Sequence, residues 1–166
     1  MNTKRVFIEK KEDFNIEAAN LYRDFLDYLG VKTLGKIRVI NVYDIFNVDD
    51  KNYNEIVEKV LFERNLDYLY ETTFPLNPED KFFRVEFVPG QYNQREDSAN
   101  KSIYILLGRN DIKVKHSKLV VLEGVNDEEL SLIKDYYINP VEMREIDMDF
   151  IHYEKYEEAE NKIEVI

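Results

Sequence analysis

The chain has 166 residues, 44% of them hydrophobic, and its formal net charge is −11. This charge argues against binding to nucleic acid or to anionic membranes, because most of the surface would repel phosphate groups. No apolar run reaches the roughly 20 residues needed to cross a bilayer. Cysteine is absent, which excludes disulfides, a thiol nucleophile and cysteine-based zinc sites and suits a cytoplasmic protein.

The first part of the chain is typical of alternating strands and helices. Apolar residues alternate along predicted strands and recur every three or four positions along predicted helices. Gly30 is a natural helix stop. The predicted elements are a strand at 5–9, a helix at 16–29, a strand at 37–43, a helix at 49–61 and a short strand at 66–73.

The segment Pro75-Leu76-Asn77-Pro78 is the clearest break in the chain. Beyond it, the same order of elements begins again, with Gly108 as the stop of the first helix. The predicted elements are a strand at 83–88, a helix at 97–107, a strand at 114–122 and a helix at 127–137.

The two halves align with nearly constant offsets, so only small insertions separate the copies. The matched positions are Val6 with Val85, Asn20 with Asn100, Leu29-Gly30 with Leu107-Gly108, and Val48-Asp49 with Val125-Asn126. This repeat predicts an α+β fold of two ferredoxin-like β-α-β-α halves, 1–75 and 81–146, that form one antiparallel sheet covered by helices. Residues 1–146 are the predicted domain. For residues 147–166 a linker is favoured over an extension packed on the sheet or a partly ordered terminus.

Catalytic groups are sparse. The only histidines are His116 and His152, and the alternating pattern around His116 predicts a surface position. The acidic clusters lack the spacing of a calcium loop, and the five glycines form no phosphate-binding fingerprint. We therefore predict no catalytic residue, no metal site and no cofactor for this chain.

One segment, residues 88–100, concentrates polar side chains where a strand turns into a helix. Asn93 is placed to cap the helix, with Glu96 closing a capping box. An arginine beside a helix amino terminus can hold an anion or the carboxylate of a neighbouring chain. The predicted interface residues are Gln91, Asn93, Gln94, Arg95, Asp97 and Ser98.

The run Pro89-Gly90-Gln91-Tyr92-Asn93-Gln94-Arg95-Glu96-Asp97-Ser98-Ala99 resembles a motif near the amino terminus of the long, single-chain phosphoribosylformylglycinamidine synthases. Three further blocks, 5–11, 38–44 and 138–145, resemble the same region of that family. The resemblance covers roughly residues 4–145.

The resemblance implies a PurS-like domain that bridges the synthetase and glutaminase domains of the parent enzyme and supports ammonia transfer between them. The parent enzyme uses ATP, magnesium and glutamine to amidate formylglycinamide ribonucleotide in purine biosynthesis. The chain alone would then be inactive, and residues 147–166 would lead towards the synthetase. Related small subunits assemble as dimers, so a homodimer is also considered. The alternative is a stand-alone ferredoxin-like module that binds a small regulatory ligand.

Overall fold

The computed structural model describes residues 3–151, which form six strands and four α-helices. Every element predicted from the sequence is present, and the last strand is one that the sequence did not predict. In chain order they are β1 (Thr3–Lys10), α1 (Ile16–Asp27), β2 (Lys36–Phe46), α2 (Asp50–Ile56), β3 (Asp67–Tyr70), β4 (Lys81–Phe87), α3 (Gln94–Leu107), β5 (Lys113–Glu123), α4 (Asp127–Tyr137) and β6 (Met143–Ile146).

All six strands belong to one antiparallel sheet with the order β3-β1-β2-β5-β4-β6. The central ladder joins β2 to β5 over their whole length, from Lys36 opposite Glu123 to Phe46 opposite Lys113. The fold is therefore α+β, with an antiparallel sheet that is compatible with a ferredoxin-like fold. None of the helices within residues 3–151 is long and apolar enough to span a membrane.

The helices pack on one face of the sheet, above two hydrophobic clusters. In one cluster α2 and α3 cover β1, the carboxyl-terminal end of β2 and the amino-terminal end of β5. In the other, α1 and α4 cover β4, the amino-terminal end of β2 and the carboxyl-terminal end of β5. The largest fully buried helix residues are Phe25, Ile56, Ile103 and Ile133, one from each helix.

Asparagine or aspartate caps the amino terminus of every α-helix in residues 3–151: Asn15, Asp49, Asn93 and Asn126. Each side chain accepts a hydrogen bond from a backbone N–H of the first turn, which the helix itself leaves without a partner. The helix predicted to run to residue 61 changes after Ile56 into a single π-helical turn, Val57–Leu61.

Within residues 3–151, no helix covers the other face of the sheet, and the chain crosses it twice, once after β3 and once after β6. Phe74 from the first crossing packs in a cluster with Phe7, Ile40 and Leu119. Residues 147–150 make the second crossing, and Met148 packs at the border of the same cluster.

A buried charged triad, Arg5–Asp44–Arg84, lies beneath the second crossing. Asp44 accepts from Nε and Nη2 of Arg5 at 2.6 and 2.9 Å and from Nη2 of Arg84 at 3.3 Å. The side chains of Asp44 and Arg84 are each 1% exposed. Two cations thus share one carboxylate, and Nη1 of each guanidinium donates to main-chain carbonyl groups of the crossing chain. The linker predicted for 147–166 begins with this contact, and residues 152–166 lie outside the described part of the chain.

Candidate functional site

The polar turn predicted from the sequence connects β4 to α3. The backbone N–H of Gln91 donates to the carbonyl of Val88 at 3.0 Å, which closes a tight turn. Gly90 occupies the second-last position of this turn with φ = 92°, a conformation that favours glycine. The turn leads to Asn93, the capping residue of α3. The helix begins at the next residue, three residues earlier than predicted.

Asn93 fixes the start of α3 to the sheet as well as capping it. Its Oδ1 accepts from the Glu96 N–H at 3.1 Å, and its Nδ2 lies 3.0 Å from Nδ1 of His116. The predicted capping box is wrong in its second half, because the Glu96 carboxylate accepts from the His116 N–H at 2.9 Å. The site in residues 3–151 that does form a complete capping box is Asn126 with Glu129, on α4.

His116 is buried on the helix-covered face, so the predicted surface position is wrong. Its Nε2 lies 2.8 Å from Oδ1 of Asn41. Because the amide nitrogen of Asn93 can only donate, Nδ1 is the acceptor and Nε2 carries the proton. Burial, and then the nearby charges of Lys118 and Arg95, lower the pKa of His116 well below 6.5. The ring is therefore neutral at pH 7 and ties α3 to the centre of the sheet.

This environment predicts a loss of stability in mild acid. The unfolded chain binds a proton at His116 near pH 6.5 and the folded chain does not, so stability falls as pH drops below 6.5. Between pH 7.5 and 5.5 we expect the free energy of unfolding of wild type to fall by about 1 kcal/mol more than that of His116→Gln, as measured by urea unfolding. His152 is present in both proteins and cancels in the comparison. Equal pH dependence of the two proteins would contradict the assignment.

Three of the predicted interface residues, Gln94, Arg95 and Ser98, line an open groove of about 550 Å³. The groove runs between α3 and the π-helical turn, with Tyr43 from β2 among its lining residues. Burial raises the pKa of Tyr43, and the adjacent Arg95 acts in the opposite direction. The Tyr43 hydroxyl therefore stays protonated beside the exposed Arg95.

Lys10 and Asp67 lie on the side of the groove away from α3, joined by a 3.0 Å ion pair. Asp67 is buried, and its other carboxylate oxygen accepts from the Glu63 N–H at 2.9 Å. Since Asp67 neutralises Lys10, Arg95 is the cation that is presented to solvent. A guanidinium group presented in this way can bind a carboxylate.

The other three predicted residues lie elsewhere. Asn93 points inward to His116, and Gln91 is exposed in the turn. Asp97 forms a surface ion pair with Lys101 at 3.0 Å and accepts from the Tyr92 hydroxyl at 2.9 Å. These contacts lower the pKa of Asp97, with Lys101 as the largest cause. Of the six predicted residues, three therefore line the groove, one is an internal helix cap and two lie at the surface.

The residues that complete this region were not predicted from the sequence: Asn41, Tyr43, Lys10 and Asp67. One signal was available in β2, where Asn41 and Asp44 interrupt the otherwise apolar run from Val39 to Phe46. Polar side chains inside such a strand need buried partners. The partners themselves come from distant segments and leave no local pattern.

Within residues 3–151, no group of three or more histidine, cysteine, aspartate or glutamate side chains is arranged to hold a metal ion. No protein-family model matches the sequence. A search of curated proteins also gives no match.

Proposed function

We propose that this chain is a PurS-like, non-catalytic domain of a phosphoribosylformylglycinamidine synthase, which bridges the synthetase and glutaminase domains and supports ammonia transfer. The observation that carries the proposal is a nearly constant separation between equivalent elements in the two halves. A chain that contains two such halves would replace the dimer that related small subunits form.

The strand ladders are consistent with one separation for both pairs of strands. Val6 pairs with Tyr43, and Phe83 pairs with Val120, so the step from 6 to 83 in one strand equals the step from 43 to 120 in the other. The two central strands, Lys36–Phe46 and Lys113–Glu123, show the same step and are equal in length. On this register Val6 corresponds to Phe83, two residues before the Val85 of the sequence alignment and on the same face of β4.

The helices follow nearly the same separation. The capping residues Asn15 and Asn93 differ by 78 positions, as do the buried core residues Phe25 and Ile103. Ile56 and Ile133, each fully buried, differ by 77. The edge strands Asp67–Tyr70 and Met143–Ile146 differ by 76 and make β6 the counterpart of β3. The agreement among caps, core positions and edge strands supports a duplication.

In this proposal the groove beside α3 is a contact surface for a neighbouring domain. Arg95 is exposed beside the amino terminus of α3, where both its charge and the helix dipole favour a carboxylate. Gln94 and Ser98 on the same side of α3 add neutral hydrogen-bonding groups. ATP, magnesium and glutamine belong to the parent enzyme, and the location is cytoplasmic.

The test is reconstitution of the parent enzyme from two pieces. The chain of 166 residues is titrated against the parent enzyme produced without it, and glutamine-dependent amidine formation is measured. We expect activity to be restored, and we expect Arg95→Ala to raise the half-maximal concentration of the chain about tenfold or more, as for a central interface arginine. Gln91→Ala is expected to act in the same direction with a smaller effect.

Arg109→Ala is the matched control, because Arg109 lies just beyond the far end of α3 and pairs with Asp111 at the surface. This variant is expected to restore activity as wild type does. A remainder that is fully active alone and does not bind the chain would overturn the proposal. The alternative of a small-ligand module would then be tested by thermal stabilisation with metabolites.

A further inference from the structure

The groove beside α3 has a counterpart in the second half of the chain. Lys10 in β1 corresponds to Phe87 in β4, by the same step that relates Val6 to Phe83. Across the ladder to the edge strand, Lys10 pairs with Asp67, and Phe87 pairs with Met143. Lys10 and Asp67 line the groove, whereas the Phe87 and Met143 pair lines a cavity of only about 30 Å³.

Large side chains and an ion pair close the second site. Tyr137, whose counterpart in the groove is Val60, packs into the cluster beneath α1 and α4 and lines the small cavity. Glu17, the counterpart of Arg95, accepts from the Lys118 ammonium at 2.5 Å. The groove has a volume of about 550 Å³ because smaller or charged residues occupy the equivalent positions.

The Lys10–Asp67 pair is a costly alternative to the apolar pair in the second half. Removing two charges from water is expensive, and an apolar pair of similar volume is often at least as stable. The side chain of Asp67 is 4% exposed. The Lys10 ammonium lies 3.0 Å from Oδ1 without the geometry of a hydrogen bond, so this buried oxygen accepts none from the described part of the chain. Buried acceptors are normally satisfied, and this one can accept from a ligand.

The groove combines opposite charges with an aliphatic surface. Arg95 is exposed on α3, and Asp67 lies on the side away from that helix. The ionisable acidic and basic side chains of the lining balance each other: Lys10, Arg95, Glu63 and Asp67. Three aliphatic side chains also line the groove: Val60, Leu61 and Ala99. These features suit a ligand that has no net charge, carries one cationic and one anionic group, and has an apolar part.

We propose that the groove binds a free α-amino acid with an aliphatic side chain. Arg95 binds the carboxylate of the ligand, Oδ1 of Asp67 accepts from its ammonium group, and Val60 contacts its side chain. The ligand ammonium takes the place of the Lys10 ammonium, and Lys10, whose side chain is already 35% exposed, turns to solvent. The inference uses the correspondence between the two halves but not the parent enzyme. In an assembled enzyme the amino acid would compete with a neighbouring carboxylate for Arg95.

The test is a calorimetric titration of the full-length chain with L-leucine. We expect saturable binding with a dissociation constant of about 1 mM or below. N-acetyl-L-leucine lacks the ammonium and L-leucinamide lacks the carboxylate, so each should bind at least tenfold more weakly, the effect of losing a hydrogen bond to a charged group. Absence of binding at about 10 mM L-leucine, or equal binding of the three compounds, would overturn the proposal.

Two variants locate the ligand. Arg95→Gln removes the exposed cation, and Val60→Tyr introduces the residue of the second half without changing a charge. Each is expected to weaken binding of L-leucine at least tenfold. The matched control is Arg109→Gln, at a surface arginine that pairs with Asp111, and it should bind L-leucine as wild type does.

Arg95 is exposed, so Arg95→Gln decides the outcome if Val60→Tyr fails to fold. Unchanged binding of L-leucine by Arg95→Gln would place the ligand outside the groove and overturn the proposal. Because the chain is titrated alone, the result does not depend on reconstitution of the parent enzyme. Binding of L-leucine together with failed reconstitution would support this inference and overturn the proposed function.

Discussion

Replacing Asp44 by alanine is expected to lower the free energy of unfolding by about 3–5 kcal/mol, the cost of removing one partner from a buried ion pair. Arg5 and Arg84 both donate to this carboxylate, which is 1% exposed. Without Asp44, two guanidinium groups would face each other beneath residues 147–150 with no counter-charge from that position. Urea unfolding followed by circular dichroism measures the loss.

Asp111→Ala is the matched control, since Asp111 also pairs with an arginine but at the surface, where its side chain is 49% exposed. Exposed pairs contribute about 0–1 kcal/mol, so this variant should be nearly as stable as wild type. Asp44→Asn keeps the volume and loses the charge, and its stability should fall between the two. A loss below about 1 kcal/mol for Asp44→Ala would show that the triad is not a buried charge cluster in solution.

Gly124→Ala is the second substitution with a large expected effect. Gly124 has φ = 88°, and a Cβ there would lie 2.5 Å from the carbonyl oxygen of Thr33. Strained backbone costs about 1–3 kcal/mol, and overpacking against a fixed neighbour costs about 1–3 kcal/mol more. Thr33 is held in place because Gly35, two residues later, donates its N–H to the carbonyl of Glu123 at 2.9 Å. We therefore expect a total loss of about 2–6 kcal/mol.

Gly30→Ala separates the two contributions. Gly30 has φ = 68° as well, but no heavy atom lies within 4 Å of the position its Cβ would take. Its substitution should cost about 1–2 kcal/mol, the left-handed backbone alone. If thermal or urea unfolding gives the same loss for both variants, the close approach of Thr33 to Gly124 does not exist in solution.

The first five strands and α4 could be predicted from the sequence because their signals are local. Apolar alternation located β2 and β5, although both extend beyond the predicted ends into residues whose pairing depends on the partner strand. The predicted bounds of α4 agree with the structure, since Asn126 caps it and Pro140 follows it. α3 begins at Gln94, three residues before the predicted start, and its first turn is stabilised by Asn93.

Long-range contacts account for what the sequence did not predict. β6 is only Met143–Ile146, with two charged residues, and it forms because β4 offers an edge. His116 shares the period of the buried Val114 and Val120, although its neighbours in sequence are polar. It lies beneath the amino terminus of α3, where Asn41 and Asn93 are its hydrogen-bond partners. No feature of residues 113–117 alone indicates those partners, and the groove around Arg95 likewise depends on how distant segments pack.

The central ladder has a consequence for the connectivity of the chain. It pairs β2 with β5, one strand from each half, along their full length, so each half alone would expose a long, unpaired strand edge. Two chains can form the same strand pairs by exchanging halves, so that β2 of each chain pairs with β5 of the other. Only the path of the segment between β3 and β4 then changes. Pairing of β2 with β5 within one chain competes with the same pairing between two chains. The segment between β3 and β4 sets the effective concentration for the pairing within one chain. Whether the sheet closes on itself or between two chains is therefore decided by tether length and protein concentration.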